Sequence, residues 1–441
     1  MSGVGANLSV DAALAAARER YARRNPGSRV AYENAVKAFP GGSTRSVLYF
    51  DPFPLTMVRG IEAELQDIDG HTYVDFVGEY SAGLFGHSDP VIKAAVIEAL
   101  ETGTVMASPT PAEVRLAEAV KARFPSMEYL RFCNSGTEAN LMAIVTAMAF
   151  TGRRKILVFR EAYHGGVLAF ATGGKQINVP FDYVLADYNQ VDETVAVIRS
   201  CAADLAAVIV EPILGAGGNI PGTPEFLGAL RAECNRSGAV LIFDEVKTSR
   251  CGAGGIQGML GIVPDMTTLG KYIGGGLPTG VFGGRSDIMA QFDPHGAHPI
   301  KHSGTFNNNQ CSMMAGYTAL TKVFTPAKAE EFARACERER QSIDAELSAK
   351  DVPMRLTGQG SLWTIHFSDY PIRAPKDIPP ISKKLGQLFH MEMLLRSILV
   401  AARGDIFISL PVTKEQMRKL HGAILLFADE YRPMIARALS V

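Results

Sequence analysis

Short apolar runs recur through the middle of the chain, and helical or polar stretches separate them. Four runs have the length and composition of buried strands, at residues 129–132, 155–159, 206–210 and 239–243. Two helical patterns, at residues 91–100 and 113–123, precede them. Strands that alternate with helices form right-handed crossovers, so the pattern predicts an α/β fold with a mostly parallel sheet covered on both faces.

The two ends of the chain have a different pattern. Residues 12–24 read as an amphipathic helix, which we expect to be a surface arm or a partner contact. Between residues 55 and 76, apolar alternation interrupted by Arg59-Gly60 and Asp69-Gly70 predicts a small antiparallel sheet. Beyond residue 325, helices at 327–347, 381–395 and from Thr413 alternate with strands at 354–357, 362–367 and 406–410. We therefore divide the chain into an N-terminal arm and small-domain segment (1–89), a large domain (90–324) and a C-terminal α+β domain (325–441).

Composition narrows the class of protein. The net charge is −1, which argues against a dedicated nucleic-acid binder. No apolar run reaches the roughly 18 residues that span a bilayer, and the first ten residues do not resemble a secretory signal. The six cysteines are scattered without CxxC pairs, and no metal-binding spacing such as HExxH occurs. We expect a cytoplasmic protein with free thiols, no metal site and neither nucleic acid nor membrane as a partner.

Polar residues follow each of the four predicted strands. They are 134–137 after the first strand, Tyr163 and His164 after the second, Glu211 after the third and Asp244 after the fourth. In a parallel sheet, ligands bind beyond the carboxyl ends of the strands. The sequence therefore predicts a binding site at this edge of the sheet.

The segment from Ser135 to Glu138 takes the chain from a strand into a helix. Its free N–H groups and the helix dipole could receive a phosphate, and Ser135 and Thr137 would add hydroxyl donors. The same letters also fit the S-x-x-E capping box, which needs no ligand. Both interpretations stay open on this segment alone.

Asp244 and Lys271 are the two strongest candidates for catalytic residues. An inward carboxylate at the end of an apolar strand needs a cationic partner, either a pyridinium N–H or a structural ion pair. Lys271 stands before Gly274-Gly275-Gly276 with no acidic neighbour in sequence. Desolvation would lower its pKa and make it nucleophilic towards aldehydes. Tyr163 could stack on a planar cofactor, whereas His164 is explained more simply by packing.

Six motifs taken together resemble class III aminotransferases, which are fold-type-I enzymes that use pyridoxal 5′-phosphate. They are NSGTEA (134–139), YHG (163–165), VEP (210–212), FDEV (243–246), TLGKYIGGGLPTG (268–280) and SGTFNNN (303–309). PGGSTRS (40–46), the run at 103–110 and the GKYIGGGLP loop resemble the branch that holds glutamate-1-semialdehyde aminomutase and β-phenylalanine aminotransferase. The resemblance implies a large domain with a seven-stranded type of sheet and a smaller α+β domain built from both termini.

The resemblance assigns roles around the cofactor ring. Lys271 would be the Schiff-base lysine and proton shuttle, and Asp244 would pair with the pyridine nitrogen, which makes the ring an electron sink. Val246 and Tyr163 would lie against opposite ring faces. Glu211 would lie near the phenolic side of the ring.

The resemblance also assigns a phosphate site and an assembly. Ser135, Gly136 and Thr137 would surround the phosphate. Thr305 would reach the phosphate of the neighbouring subunit, because in this family the active site is built at the interface of a homodimer.

The substrate is less closely specified. Arg45 and Arg403 are candidates to bind a carboxylate, since a guanidinium can bind both oxygens, or they could be solvated loop residues. After Asp244-Glu245-Val246 the chain has KTSRC (247–251) where the aminomutase pattern has Met-Thr-Gly-Phe-Arg. We therefore predict an aminotransferase that passes nitrogen by a ping-pong mechanism from a β-amino acid to a 2-oxo acid, with aromatic β-amino acids such as β-phenylalanine among the candidate donors. The alternatives are an aminomutase, an aminotransferase for other amines, and a non-enzymatic cofactor or nucleotide binder.

Overall fold

A computed structural model describes residues 9–172 and 175–440 of the chain. Within these residues, the α-helices are α1 (Val10–Arg24), α2 (Pro26–Ala35), α3 (Pro90–Thr102), α4 (Pro111–Arg123), α5 (Gly136–Thr151), α6 (Val191–Ser200), α7 (Pro224–Ser237), α8 (Gly255–Leu260), α9 (Ser286–Met289), α10 (Gln310–Thr318), α11 (Pro326–Ala349), α12 (Ser382–Leu395) and α13 (Lys414–Leu439). The strands are β1 (Met57–Ile61), β2 (Glu64–Asp67), β3 (Thr72–Asp75), β4 (Tyr129–Cys133), β5 (Lys155–Phe159), β6 (Asp182–Ala186), β7 (Leu205–Val210), β8 (Ile213–Leu214), β9 (Ile220–Pro221), β10 (Val240–Asp244), β11 (Met266–Gly270), β12 (Gly280–Gly284), β13 (Arg355–Gln359), β14 (Leu362–His366), β15 (Ile398–Leu399) and β16 (Asp405–Phe407).

The central sheet has seven strands in the order β4-β12-β11-β10-β7-β5-β6. Strand β10 pairs in parallel with β11 and β7, whereas β12 runs antiparallel to β11 and β4. The predicted mostly parallel sheet is therefore confirmed, and its four predicted strands are β4, β5, β7 and β10. Strands β6, β11 and β12 escaped the sequence analysis. Strand β12 was missed because three of its five residues are glycines, which are uncommon in strands. Glycine is required at position 280, since a Cβ there would lie 2.1 Å from the carbonyl oxygen of Ser135.

Helix boundaries follow local signals in the sequence. Prolines occupy the first position of α4, α7 and α11, where a missing N–H does no harm, and a threonine hydroxyl caps each of these helices. Helices α5 and α7 end where Gly152 and Gly238 adopt the left-handed conformation. These signals fix where the helices that cover the sheet start and stop.

The N-terminal sheet has the order β1-β2-β3-β15. The predicted turn at Asp69-Gly70 joins β2 to β3. The predicted break at Arg59-Gly60 is wrong, because both residues lie inside β1. Gly60 serves close packing instead, since a Cβ there would lie 2.7 Å from Cγ of His87.

The first helix is not only a surface arm. Leu14, Ala17 and Tyr21 of α1 are buried in a hydrophobic core that also contains side chains from α12 and α13. Strand β15, which the sequence analysis missed, pairs in parallel with β3. Both ends of the chain thus share one core and one sheet, while the predicted boundaries at residues 90 and 325 stay predictions.

Three properties of the described residues bear on the protein class. No helix among them is long and apolar enough to cross a bilayer. All six cysteines are free thiols. No cluster of three His, Cys, Asp or Glu side chains within residues 9–172 and 175–440 could hold a metal ion.

Candidate active site

The predicted residues converge at the carboxyl ends of the strands. Strands β5, β7, β10 and β11 are neighbours in the sheet, and they lead into Tyr163, Glu211, Asp244 and Lys271. Direct hydrogen bonds join Tyr163 to Glu211 and His164 to Asp244. The site edge predicted from the strand ends is thus formed by contacts between residues at the ends of different strands.

Asp244 is held in place by a network of buried groups. The residue is only 4% exposed. Its Oδ2 lies 2.7 Å from Nδ1 of His164 and accepts a hydrogen bond of 2.8 Å from Nδ2 of Asn140. The Thr268 hydroxyl donates to Oδ1 of Asn140 and so orients that amide. The other carboxylate oxygen, Oδ1, accepts the N–H of Val246 at 3.0 Å and keeps a lone pair for a further donor.

His164 is more than a packing residue, and the sequence analysis missed this. Burial lowers the pKa of its imidazole, but the hydrogen bond to Asp244 and the charges of Asp244 and Glu211 raise the pKa above its ordinary value overall. The ring therefore holds its proton more tightly than an exposed imidazole would, and its contact supports the negative charge on Asp244. Asn140, which also donates a hydrogen bond to Asp244, lies on α5. Nothing in the sequence of that helix indicated this contact.

Lys271 follows the last residue of β11 directly, and its backbone φ of 55° lies in the left-handed region. A residue with a Cβ is strained there, and such strain is typical of functional sites. Burial lowers the pKa of its amine, Arg403 and Arg45 lower it further, and Asp244 and Glu211 oppose the effect. The side chain is therefore closer to a neutral, nucleophilic amine than an exposed lysine would be.

Glu211 is a buried acid beside this pair. The residue is 5% exposed, and its carboxylate accepts hydrogen bonds from the N–H groups of Tyr163 at 2.9 Å and of Gly215 at 3.1 Å. Burial is the main cause that raises the pKa of its carboxyl group. The ring of Tyr163 is half exposed, so its face is available to a planar ligand.

Two glycines keep the floor of the site narrow. A Cβ at Gly136 would lie 2.6 Å from Cγ1 of Val246, and a Cβ at Gly165 would lie 2.3 Å from the hydroxyl of Thr137. Any larger residue would displace these side chains. The backbone therefore approaches Val246 and Thr137 as closely as it does only because these positions are glycine.

The segment at the start of α5 serves as a helix cap and leaves donors free. The Ser135 hydroxyl accepts the N–H of Glu138 at 3.2 Å, so the predicted cap is confirmed. The carboxylate of Glu138 reaches back to the N–H of Asn134 at 2.8 Å. The N–H groups of Gly136 and Thr137 have no acceptor within the helix, because they belong to its first turn. The predicted phosphate site is therefore compatible with the cap.

Arg45 and Arg403 converge on one aromatic ring. Each guanidinium carbon lies 5.7 Å from the ring centroid of Tyr80. Arg45 forms an ion pair with Glu79, and Arg403 forms one with Asp405. The two arginines come from opposite ends of the chain, so the fold creates a cationic pair that the sequence did not indicate.

Thr305 lies on an exposed loop. Its neighbour Phe306 is 59% exposed. The loop is tied to the start of α5 because Nδ2 of Asn134 donates to Oδ1 of Asn307 at 2.9 Å. His302, at the base of the loop, packs edge-on against Phe282. Nothing within the described chain covers Thr305 itself.

The residues present fit pyridoxal 5′-phosphate. Lys271 offers a desolvated amine, Asp244 offers a fixed carboxylate oxygen with a free lone pair, and the first turn of α5 offers donors for an anion. The glycine at position 136 lets the backbone of α5 approach Val246 closely. The amine, the carboxylate and the helix start match the aldehyde, the ring nitrogen and the phosphate of that cofactor.

Comparison with known proteins identifies the family. The model of the aminotransferase class-III family matches residues 49–393. The chain is 46% identical to the β-phenylalanine transaminase of Variovorax paradoxus over 98% of this chain and 99% of the relative. The crystal structure of a β-phenylalanine aminotransferase from the same organism superimposes with a TM-score of 0.93 and covers 95% of this chain and 97% of that one. A glutamate-1-semialdehyde 2,1-aminomutase from an Exiguobacterium species is 33% identical over 90% of this chain and 95% of its own length. The chain therefore belongs to the class III aminotransferases, fold-type-I enzymes that use pyridoxal 5′-phosphate.

Proposed function

We propose that the chain moves an amino group from a β-amino acid, with an aromatic one such as β-phenylalanine as the leading candidate, to a 2-oxo acid. The observation that carries the proposal is the convergence of Arg45 and Arg403 on Tyr80, on the Lys271 side of the site. Both substrates carry a carboxylate, and an arginine pair can bind one at a distance from the reacting carbon. The 46% identity to a β-phenylalanine transaminase supports the same substrate.

In this proposal, the residues of the candidate active site bind the cofactor. Ser135, Gly136 and Thr137 bind the phosphate, and Val246 and Tyr163 lie on the two faces of the ring. When bound, pyridoxal 5′-phosphate supplies an aldehyde that takes up the amino group and a ring that accepts the electrons released at the substrate carbon.

Asp244 and Lys271 hold and move the protons. Asp244, supported by His164 and Asn140, keeps a proton on the ring nitrogen through its free Oδ1 lone pair. Lys271 would hold the cofactor aldehyde through its side-chain nitrogen. Its low-pKa amine, once free, would take the proton from the substrate carbon and deliver it to the carbon that carried the aldehyde. Glu211 lies on the phenolic side of the ring in this arrangement.

A panel of amino donors tests the substrate. β-Phenylalanine, α-amino acids and simple amines are each offered with 2-oxoglutarate and with pyruvate. We expect β-phenylalanine with one 2-oxo acid to give the highest kcat/KM, and Arg403→Met to raise KM for the carboxylate substrates by roughly 100-fold, the loss of one bidentate contact. Arg154→Met, on an exposed edge, is the matched control and should change neither constant.

The same panel separates the alternatives. An aminomutase would convert a single amino compound with no 2-oxo acid present, whereas a transaminase stops after one half-reaction. Turnover of simple amines at the rate of β-amino acids would contradict the role of the arginine pair. No turnover of any β-amino acid would remove the substrate proposal and leave the cofactor chemistry standing.

We further propose a homodimer with shared active sites, in which Thr305 binds the phosphate of the partner. The exposure of the loop that carries it supports this arrangement. Mixing two inactive variants tests it. In a dimer of Lys271→Ala with Thr305→Asp, one site combines an intact Lys271 with an intact Thr305 from the other chain, so activity returns. If each chain completes its own site, mixing restores nothing.

The proposed setting of the enzyme is the cytoplasm, and its proposed partners are small substrates rather than nucleic acid. Six free thiols, five of them buried, suit a reducing compartment. Fractionation of the host cell followed by immunodetection would test the compartment, and detection in an oxidising compartment would contradict it.

A further inference from the structure

A second lysine lies inside the site and has no part in the roles described so far. Lys247 follows Val246 directly after β10 and is mostly buried. Its Nζ donates to Oδ1 of Asn219 at 2.7 Å and lies 4.6 Å from the ring centroid of Phe407. Burying a charged lysine is unfavourable unless nearby charges and hydrogen bonds stabilise its ammonium group. A lysine kept in such a place therefore calls for an explanation.

On one side, Lys247 joins the carboxylate-binding end of the site. Asn219, its hydrogen-bond acceptor, donates through Nδ2 to Oδ1 of Asp405 at 3.4 Å and to Thr364 at 2.8 Å. Asp405 is fully buried and forms the ion pair with Arg403. Asp405 therefore pairs directly with Arg403 and is connected to Lys247 through the side chain of Asn219.

On the other side, Lys247 approaches the cofactor end. A Cβ built at Gly215 would lie 2.8 Å from Oε1 of Glu211 and 3.0 Å from Nζ of Lys247. The carboxylate and the ammonium group thus border the same small space, and they are less than about 6 Å apart, a range in which charges shift each other's titration strongly. A glycine is needed at position 215 for both side chains to reach this point.

The charges around Lys247 come from each element packed against it. Glu211 and Asp405 favour its charged form, and Arg403 and Lys271 oppose it. Burial is the largest cause, and together these groups lower the pKa of its amine to about 8. Lys247 therefore carries most of its charge at neutral pH and loses it in mildly alkaline solution.

We propose that Lys247 stays free of cofactor and acts as a positioning residue, whose positive charge beside Glu211 lowers the proton affinity of the nitrogen that joins Lys271 to the cofactor. The proposal rests on the proposed function, since it requires that link. If the nitrogen that joins Lys271 to the cofactor were protonated, it and the charged Lys247 would be two positive charges in one poorly solvated site. Repulsion between these like charges would lower the proton affinity of that nitrogen. Substrate amines react through the link, so its protonation state matters at the working pH.

Absorbance titration of the loaded enzyme tests the proposal without measuring activity. The visible band of the bound cofactor is followed from pH 5 to pH 10 in the wild type, Lys247→Met, Lys247→Gln and Lys247→Arg. We expect the midpoint to rise by about one pH unit in the two neutral variants, because a like charge has been removed. Lys247→Arg keeps the charge and should stay near the wild type. Lys328→Met, on an exposed face, is the matched control with no shift expected.

The outcomes separate the two proposals. An unchanged midpoint in either folded neutral variant would overturn the role of Lys247, even if the enzyme remained a transaminase. Because Met and Gln differ in polarity, the second variant covers a failure of the first to fold. Borohydride reduction of the wild type that labels Lys247 instead of Lys271 would also overturn it. Reduction that labels neither lysine would overturn the proposed function on which this inference rests.

Discussion

At the scale of single residues, the contact between His164 and Asp244 links the site to the stability of the fold. The raised pKa of the buried His164 ring means that the folded state binds its proton more tightly than the unfolded chain does. The resulting stabilisation is fully present below pH 6.5, the ordinary pKa, and is lost as pH rises through the folded-state pKa. The folded protein therefore gains more from this histidine in mildly acidic solution than at pH 8.

Replacing His164 by Asn should expose this dependence. We expect the free energy of unfolding of the wild type minus that of the variant, measured by urea denaturation of the cofactor-free protein, to be larger at pH 6 than at pH 8. His302→Asn is the control with the opposite sign, because burial lowers the pKa of His302 and its contribution shrinks as pH falls. A difference for His164 that grows with pH would contradict the account.

Site residues that belong to a sequence motif could be named from the sequence. Site residues that depend on contacts between distant parts of the chain could not. Lys271, Asp244 and Ser135 could be named from the strand-end pattern and the resemblance. His164 was passed over because a histidine next to an aromatic packs in most proteins. Lys247 was recognised only as a departure from a pattern, since its partners Asn219 and Asp405 are distant in sequence.

At the scale of elements, the junction of β4 and α5 performs two tasks with one residue. Ser135 caps the helix and, in our proposal, donates its hydroxyl hydrogen to the cofactor phosphate. Ser135→Ala should lower the free energy of unfolding of the cofactor-free protein by about 1 kcal/mol, the usual value of a lost cap. It should also raise the Kd for pyridoxal phosphate by roughly tenfold, the equivalent of one hydrogen bond.

Thr325→Ala separates these two effects. Thr325 caps α11 through the N–H of Lys328 in the same way, but it lies away from the site. We expect a similar loss of stability and an unchanged Kd, measured by fluorescence titration. If both variants weaken cofactor binding equally, Ser135 acts only through helix stability.

Elements were predictable where their hydrophobic period was clear. Strands β5, β7 and β10 are apolar apart from a charged residue at one end of β5 and of β10, and β4 contains one internal arginine, whereas β11 contains two threonines and β12 contains three glycines. These two strands are stabilised by their position between β10 and β4 rather than by their own composition. Sequence periodicity could not detect that contribution, because it comes from neighbours in the sheet.

At the scale of the whole molecule, Arg250 connects the three predicted parts of the chain. It is 1% exposed, and its guanidinium donates to the carbonyl of Ser81, the hydroxyl of Ser361 and the carbonyl of Ile408. These acceptors lie in the predicted N-terminal and C-terminal segments, while Arg250 lies in the large domain. Burial lowers its pKa to about 10, so the bonds must offset the lost hydration of the cation.

Arg250→Met should therefore destabilise the assembly of the three parts. We expect a loss of roughly 2–4 kcal/mol in the free energy of unfolding, because buried acceptors lose their donor. Urea denaturation followed by circular dichroism measures it. Arg154→Met, which removes an exposed ion pair with Asp182, is the control and should have a much smaller effect. Equal losses would show that Arg250 has no special connecting role.

The measurement that tests the central claim most directly is borohydride reduction of the protein loaded with pyridoxal phosphate, followed by peptide mass analysis. The account predicts one stable adduct, on the peptide that contains Lys271, and its disappearance in Lys271→Ala. No adduct on the wild type, or an adduct that persists on another lysine when Lys271 is replaced, would contradict the assignment on which the site and the mechanism depend.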